Sequence, residues 1–397
     1  MTPLVLTHFT ATSCIGRGLR ETLATLREQR TGLAPCKFET VELDTYLGEV
    51  AGIDAEKLPD GFEKFNCRNN RLAQLGLRQD GFMAAVEELV RRWGRRRVGV
   101  FLGTSTSGIL ETELAYRRRD PVTGALPGDF NYRGMHNSFS VADFARHLLG
   151  LEGPAVVVSS ACSSSAKVFG SARRMMEAGL IDAALVGGVD SLCLTTLYGF
   201  HSLQLVSQRP CRPFDMSRDG ISIGEAAAFA LLERAPENLD ADAVMLLGIG
   251  ESSDAYHMSS PHPEGRGAQA AMLQALDTAG LQAADIDYIN LHGTGTPSND
   301  NAEARAVAAV LGPRVPASST KGATGHTLGA AGALEAVICG LALQHSLMPA
   351  GLNTTTVDPS LEVCYLLENR PGKVERVMSN SFGFGGSNCS LILGRAG

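Results

Sequence analysis

The sequence predicts an α/β fold, in which helices cover both faces of a largely buried sheet. Apolar runs typical of buried strands alternate along the chain with alanine- and leucine-rich segments of helical spacing. The strand-like runs lack the alternation of polar and apolar residues that a sheet with one solvated face would show. With 397 residues, 44% of them hydrophobic and 19% charged, the chain has material for two domains or one large duplicated domain.

Each predicted element rests on its own run of residues. The predicted strands are 97–103, 154–160, 182–189, 287–293 and 314–319, and the predicted helices are 164–178, 301–311 and 330–345. No low-complexity linker divides the chain, and the polar, proline-containing segment 234–243 is the best candidate boundary. We therefore expect an N-terminal half over 1–240 and a C-terminal half over 241–397.

The two halves contain segments that weakly resemble each other. "SSACSSSAKVFGSARRMMEAGL" (159–180) and "KGATGHTLGAAGALEAVICGL" (321–341) each join a loop of small residues to an alanine-rich helix, before another apolar run. An internal duplication would explain the length of the chain without a linker. Shared small-residue composition would give the same likeness by chance.

Composition excludes several classes of protein. The net charge of −7 disfavours binding to nucleic acid or to an anionic membrane. The nine cysteines are scattered without a CxxC pair, which argues against a disulfide framework and a structural zinc site. The N-terminal residues lack the features of a signal peptide, and no apolar run is expected to reach bilayer-spanning length. We expect a reduced, cytoplasmic protein.

Cys162 lies where a buried strand is followed by a helix, in "VVSSACSSSAKVFGSAR". The unpaired N–H groups and positive dipole at a helix N-terminus favour an anion. A thiol at that point is expected to have a lowered pKa and to react as a thiolate nucleophile. The alternative is that Cys162 is a small buried hydrophobe, which is the usual role of cysteine.

Two histidines stand in loops rich in glycine and threonine. His292 opens "HGTGTPSND" after a predicted strand, and His326 follows Lys321 by five residues in "KGATGHTLGAAG". These surroundings suggest that both imidazoles face a cleft, although a hydrogen-bonded structural role is the usual one for a single histidine. A zinc site formed by Cys162, His292 and His326 is a further alternative.

The C-terminal segment "SNSFGFGGSNCSLIL" (379–393) is rich in glycine around Phe384. Gly383 and Gly385 flank this aromatic residue and allow the backbone to approach a ligand closely. Backbone N–H groups of such a loop can stabilise an oxyanion. The alternative is an ordinary hairpin turn.

Taken in order, "SSACSSSA", "HGTGTPSND", "STKGATGHTLGAAGALEA" and "NSFGFGGSN" resemble the elongating β-ketoacyl-[acyl-carrier-protein] synthases of types I and II. "CRPFDMSRDGISIGEAAA" (211–228) resembles a further signature of this family, so the likeness spans nearly the whole chain. The resemblance implies a thiolase fold, with two similar halves in a layered α-β-α-β-α architecture. It also implies a decarboxylative condensation of malonyl-carrier protein with an acyl group held on Cys162, and no metal or organic cofactor.

The resemblance assigns a role to each site residue. Cys162 takes the acyl group, and His292 and His326 stabilise the enolate left by loss of CO2. Lys321 orients the second histidine, and Glu335 pairs within the same network. The other assigned residues contact the rest of the substrate: Thr294 and Thr296 bind the phosphopantetheine arm, the N–H groups of Cys162 and Phe384 form the oxyanion hole, and Phe384 is a gate between Gly383 and Gly385.

Partners are also implied by the resemblance. They are acyl- and malonyl-loaded carrier proteins, with either a second copy of the chain or a chain-length-factor-like subunit. An acidic carrier needs local basic contacts, and the candidate residues are Lys64, Arg68, Arg117, Arg118 and Arg212. "GEAAA" (224–228) departs from the family's Gly-Glu-Gly-Ala-Gly, which favours a specialised polyene or polyketide pathway over housekeeping synthesis.

Two other functions remain open at this stage. A thiolase on the same fold would use coenzyme A thioesters and a second cysteine, for which Cys389 is the candidate. A non-catalytic subunit that sets chain length would need neither Cys162 nor the two histidines.

Overall fold

The computed structural model describes residues 3–396. The strands are β1 Leu4–Ser13, β2 Gly16–Arg17, β3 Ala34–Pro35, β4 Tyr46–Gly48, β5 Val98–Gly103, β6 Ala155–Val158, β7 Ala183–Asp190, β8 Ile223–Gly224, β9 Ala226–Arg234, β10 Val244–Ser253, β11 Tyr288–Asn290, β12 Pro316–Ser318, β13 Leu347–Met348, β14 Cys364–Tyr365, β15 Arg370–Pro371, β16 Arg376–Gly383 and β17 Ser387–Arg395.

The helices are α1 Leu19–Arg27, α2 Arg68–Leu77, α3 Phe82–Trp93, α4 Ile109–Arg117, α5 Ser140–Leu148, α6 Ser164–Glu177, α7 Leu194–Ser202, α8 Arg266–Ala279, α9 Pro297–Val310, α10 Lys321–Thr324 and α11 Ala331–His345. Every predicted strand and helix is confirmed, with ends that shift by a few residues. The largest shift is at α9, which begins at Pro297 rather than 301 because proline at the first helical position is pre-set for a helix.

One strand pattern occurs twice in the sheet. The first set runs β1-β9-β7-β5-β6, with two antiparallel pairs followed by two parallel pairs. The second set runs β10-β17-β16-β11-β12 with the same directions. A short antiparallel pairing of β1 with β10 joins the two sets into one sheet. The repetition agrees with the internal likeness in the sequence, whereas the division at residue 240 stays a prediction.

Helices α6 and α11 lie between the two sets and carry the main core. They pack on each other, and α6 also contacts β5 and β7 of one set and β17 of the other. On the outer faces, α2 and α5 cover the first set, and α8 and α9 cover the second. The result is the layered α-β-α-β-α arrangement expected of a thiolase fold.

The central helix corrects one expectation from the sequence. The stretch Leu328–His345 is long and apolar enough to cross a membrane by length and composition, although no run was expected to be. In the structure, 89% of this stretch is buried inside the protein. Its apolar character follows from packing between two layers of strands.

Candidate active site

Cys162 lies in a tight turn between β6 and α6, with only 5% of its surface exposed. The preceding residue, Ala161, has a φ of 53°, a left-handed conformation that is costly for any residue with a Cβ atom. Helix α6 begins two residues later at Ser164. The turn therefore places the thiol beside the helix N-terminus, as the sequence predicts.

His326 is the nearest ionisable neighbour of this thiol. Its Nε2 lies 3.0 Å from the Sγ of Cys162. The backbone N–H of Leu328 donates to Nδ1 of the same ring over 3.3 Å, so the proton of the neutral ring is on Nε2. His326 therefore donates a hydrogen bond to the sulfur. The "SRDGISIGEA" segment holds the loop, since His326 N donates to Ser222 O and Gly224 N donates to His326 O.

His292 completes a three-residue cluster with Cys162 and His326. The two imidazole rings meet edge to face, with their centroids 5.3 Å apart. The carboxylate of Glu303 accepts from the backbone N–H groups of His292 and Gly293, at 2.8 and 2.7 Å. Because Glu303 lies on α9, that helix fixes the direction in which the histidine loop leaves β11.

Lys321 and Glu335 form a buried ion pair beside the histidines. The Lys321 ammonium donates to Oε1 of Glu335, and both side chains are almost entirely buried. Burial raises the pKa of Glu335 to about 7, and the charge of Lys321 opposes that rise. We find no hydrogen bond from Lys321 to His326 within residues 3–396, so the lysine acts on the histidines through its charge.

The pKa of each histidine lies well below its usual range. Burial is the main cause for both rings, and the charge of Lys321 adds to it. Both imidazoles are therefore neutral at physiological pH. A neutral imidazole offers one N–H donor without adding a charge that would have to be removed later in a reaction.

The pKa of Cys162 differs from the sequence expectation. Burial raises it to about 12, while the charge of Lys321 and a hydrogen bond from the backbone N–H of Phe384 act in the opposite direction. Cys162 lies beside a helix end as expected, but burial raises its pKa by more than the helix end and the other favourable contacts lower it. The resting site therefore holds a neutral thiol.

The glycine-rich loop covers the cluster. Phe384 lies 5.5 Å from Phe200, ring centroid to centroid, and its backbone N–H reaches the sulfur of Cys162. A Cβ atom at Gly383 would lie 2.8 Å from the carbonyl oxygen of Ser160, so only glycine allows this approach to the turn before the nucleophile. Gly385 has a φ of 79° with open space around it.

A cavity reaches the cluster from outside. Its apolar wall is formed by Phe200, Leu205 and Ile221. Its polar wall includes Thr294 and Thr296, whose hydroxyl groups lie 2.9 Å apart.

The same cluster is the candidate for a metal. One ligand atom each from Cys162, His292 and His326 all lie within 4.8 Å of one another. However, the proton on Nε2 of His326 occupies the position where a metal would bind, and its Nδ1 accepts a hydrogen bond instead of donating one. The donor set therefore fits a hydrogen-bonding site better than a zinc site.

Two of the predicted carrier contacts are wrong. Arg68 is buried and pairs with Glu225 at 2.7 Å, also donating to Asp54. Arg212 is 6% exposed, and it pairs with Asp219 at 2.8 Å. Neither guanidinium is available to an acidic partner. The other three candidates, Lys64, Arg117 and Arg118, are exposed.

Cys389 does not belong to the cluster. It lies fully buried in β17 opposite Glu251 of β10, and burial raises its pKa. A thiolase needs a second cysteine at the reacting centre, and the structure gives Cys389 no such position.

Sequence reasoning missed the acidic residues that hold the site together. Besides Glu303, Asp300 accepts from the backbone N–H of Thr294, and Asp190 accepts from Gly329 near the His326 loop. The sequence gives a clue to two of them. In "SNDNAEA", Asp300 and Glu303 are three residues apart and so lie on one face of the helix. Asp190 carried no such signal.

Comparison with known proteins agrees with this geometry. Residues 1–238 match the family description "Beta-ketoacyl synthase, N-terminal domain", and residues 243–355 match "Beta-ketoacyl synthase, C-terminal domain". The chain belongs to the β-ketoacyl synthase family.

Individual relatives support the assignment. This synthase is 31% identical to a 3-oxoacyl-[acyl-carrier-protein] synthase 2 from Synechocystis sp., over 98% of this chain and 97% of that one. It is 38% identical to the protein of the same name from Coxiella burnetii, where the match spans 62% of this chain and 63% of the relative. A ketosynthase from Xenorhabdus doucetiae, solved in complex with its chain length factor, matches with a TM-score of 0.89 and 38% identity over 100% of this chain and 98% of that one.

Proposed function

We propose that this synthase is a 3-oxoacyl-[acyl-carrier-protein] synthase that elongates an acyl chain by two carbons. The observation that carries the proposal is the 3.0 Å contact between Cys162 Sγ and His326 Nε2, with His292 beside it at the end of a cavity. The names of its relatives support the same reaction.

In the first step, the sulfur of Cys162 attacks the carbonyl carbon of an acyl-carrier thioester. A bond forms from Sγ to that carbon, and the carrier's pantetheine thiol leaves with the proton of Cys162. The N–H donor of His326 stabilises the developing thiolate, and the N–H groups of Cys162 and Phe384 form the oxyanion hole. The phosphopantetheine arm lies along Thr294 and Thr296.

In the second step, malonyl-carrier protein loses its carboxylate as CO2. The electron pair of the broken C–C bond forms an enolate, whose oxygen accepts from the N–H donors of His292 and His326. The enolate carbon attacks the acyl carbon on Cys162, and the sulfur leaves as a thiolate that takes up a proton. Lys321 and Glu335 keep the charge around the histidines balanced, so that both rings remain neutral donors.

The histidines provide the direct test. We expect His326→Ala and His292→Ala each to slow malonyl decarboxylation by about a hundred- to a thousand-fold, which is the usual effect of losing one oxyanion donor. His345→Ala is the matched control, because this histidine is exposed at the C-terminal end of α11. Decarboxylation at the control rate in both site variants would reject the proposed roles.

The partner chain follows from an unpaired sheet edge. Strand β6 has the sequence Ala-Val-Val-Val, pairs with β5 and with no other strand of residues 3–396, and remains half-buried along its whole length. An apolar edge strand of this kind favours pairing with another chain. We propose that a chain-length-factor-like subunit covers it, as the complex of the Xenorhabdus doucetiae relative suggests.

The mass of the purified chain tests this partner. The chain alone should form no stable dimer by light scattering, and co-expression with a chain length factor should give a one-to-one complex. A stable, active homodimer would reject the heteromeric partner and leave the condensation reaction unaffected.

Carrier docking and location complete the proposal. Lys64 and Arg118 line one groove on the surface, with Arg117 nearby on α4, and we propose that these cations contact the acidic carrier. A cytoplasmic location suits a protein whose nine cysteines are all free.

A further inference from the structure

Asp190 stands at the end of β7 with a fully buried carboxylate that accepts five hydrogen bonds. Its Oδ1 accepts from both the N–H and the hydroxyl of Thr106 at 2.9 Å, and from Ser105 N and Thr104 Oγ1 at 2.7 Å. Its Oδ2 accepts from the backbone N–H of Gly329 at 2.5 Å. One side chain thus connects the loop after β5 with the loop before α11.

Those two loops lead directly to the reacting groups. On one side, the hydroxyl of Ser105 donates to the carbonyl oxygen of Ala161 at 3.3 Å, immediately before Cys162. On the other side, Gly329 follows Leu328, whose N–H fixes the tautomer of His326. The carboxylate is therefore two contacts away from the nucleophile and two contacts away from its histidine.

Three residues in the loops that this carboxylate connects have a left-handed backbone conformation. Ala161 and Leu328 have φ values of 53° and 51°, both unfavourable for residues with side chains. Ser107, with a φ of 46°, donates from its N–H to the hydroxyl of Thr104. Strained conformations persist only where the surrounding contacts over-determine them, and the network of Asp190 supplies such contacts.

We propose that Asp190 is a positioning residue that holds the Cys162 turn and the His326 loop at the distance the reaction needs. The inference rests on the proposed function, because it takes these two residues as the reacting pair. Asp190 touches neither substrate nor sulfur in this role and acts through His326.

A carboxylate is required because every group facing it is a donor. An asparagine at this position has one acceptor oxygen and one NH2 group. If its oxygen takes the place of Oδ1, its NH2 group meets the N–H of Gly329 and pushes the His326 loop away. Asp190→Asn therefore preserves shape and removes one specific contact.

A double-mutant cycle tests the inference. Asp190→Asn is measured alone and together with His326→Ala, with condensation and malonyl decarboxylation rates expressed per folded molecule. Alone, it should lower kcat about tenfold or more while the KM for acyl-carrier protein changes less than about twofold. In the His326→Ala background the same change should cost less than about threefold, because the residue it positions is gone.

A matched control separates positioning from general stability. Glu233 is also a buried carboxylate, bonded to Arg92 and Trp93, and it lies on β9 opposite Ala183 at the far end of β7. Seven residues of strand, roughly 23 Å, separate it from the level of Asp190. Glu233→Gln should lower thermal stability without lowering kcat.

Each result decides between the alternatives. If Asp190→Asn lowers the rate by the same factor in both backgrounds, the positioning role is overturned while the proposed function stands. If His326→Ala alone has no effect, the positioning role is overturned together with the role that the proposed function gives to His326. Should Asp190→Asn fail to fold, Thr106→Val removes one hydroxyl donor and leaves the carboxylate in place. That variant should give about a threefold loss with the same dependence on His326, and equal losses in both backgrounds would again overturn the role.

Discussion

Replacing one member of the buried pair between Lys321 and Glu335 should destabilise the protein far more than replacing both. The two side chains are 1% and 3% exposed, and the lysine donates to one carboxylate oxygen. The other oxygen, Oε2, has no hydrogen-bond partner among residues 3–396. Each charge therefore depends on the other for compensation in a dry environment.

The structure sets the scale of the effect. Removing one partner of a buried pair costs about 3–5 kcal/mol, because the remaining charge stays in the core without compensation. Replacing both partners by uncharged residues of similar volume is often close to neutral. For a chain of 397 residues the unfolding entropy is about 0.8 kcal/mol/K, so 4 kcal/mol corresponds to a fall in Tm of about 5 °C.

The assay compares Lys321→Met, Glu335→Gln and the double variant by thermal unfolding at one scan rate. We expect each single change to lower Tm by about 5 °C and the double change to lower it by less than about 2 °C. Lys321→Met and the double variant should both lose condensation activity, because the charge of Lys321 also acts on the site. Stability and activity are thus separated within one set of variants.

The pH dependence of Lys321→Met adds a second measurement. Burial already raises the pKa of Glu335 to about 7, and removing the lysine removes the influence that lowers it. The folded state then binds this proton more tightly than the unfolded state, whose glutamate titrates near 4.3. Because the wild-type carboxyl already titrates near 7, the loss of unfolding free energy in Lys321→Met relative to wild type should change little between pH 5 and pH 7 and grow above pH 7.

Two outcomes would refute the reasoning. In the first, the double variant falls in Tm by the sum of the single falls, which would mean that the two charges do not compensate each other. In the second, the loss of unfolding free energy in Lys321→Met relative to wild type stays constant between pH 5 and pH 8. This would mean that removing the lysine does not raise the pKa of Glu335 in the folded state.

Three further predictions concern the nucleophile, the gate and the docking surface. Cys162→Ser should abolish condensation, because a hydroxyl is far less ionised than a thiol, and wild-type turnover would contradict the assignment. Phe384→Ala should retain self-acylation but raise unproductive malonyl decarboxylation relative to it, whereas an unchanged ratio would make the loop purely structural. Charge reversal by Lys64→Glu and Arg118→Glu should raise the KM for carrier protein at least about threefold at low salt with little change in kcat, and an unchanged KM would remove both from the docking surface.

The elements of the fold could be predicted because each buried strand is a short, continuous run of apolar residues in the sequence. β5 is apolar over all six residues and β7 over the first seven of its eight, and both are buried at every position, so their runs identify them without knowledge of their neighbours. The site loops could be found for a related reason, since "HGTGTPSND" and "KGATGHTLGAAG" interrupt such runs with residues that suit an open loop near a ligand.

The errors came from contacts made across the chain. Arg68 looks like a surface cation in sequence, but its partner Glu225 is 157 residues away, and the two become buried together only when α2 packs on β9. Arg212 differs, because its partners Asp219 and the carbonyl of Ser217 are close in sequence, and it fails as a docking residue because the fold buries it together with them. The exposure of a charged residue depends on which other charge the fold brings to it, and local composition carries no record of that.

The ionisation of Cys162 depends on tertiary packing for the same reason. A helix N-terminus offers a thiolate local stabilisation that the sequence reveals, whereas the burial that raises the pKa of Cys162 to about 12 arises only when the chain folds. Phe384 contributes in two opposing ways, because it lines the cavity beside the sulfur and its N–H donates to the sulfur. Movement of Phe384 would therefore remove one hydrogen-bond donor from the sulfur and would let substrate and water reach it. If Phe384 acts as the predicted gate, the motion that admits an acyl chain also removes part of the burial that keeps the thiol neutral, so the thiol becomes reactive only when substrate can enter.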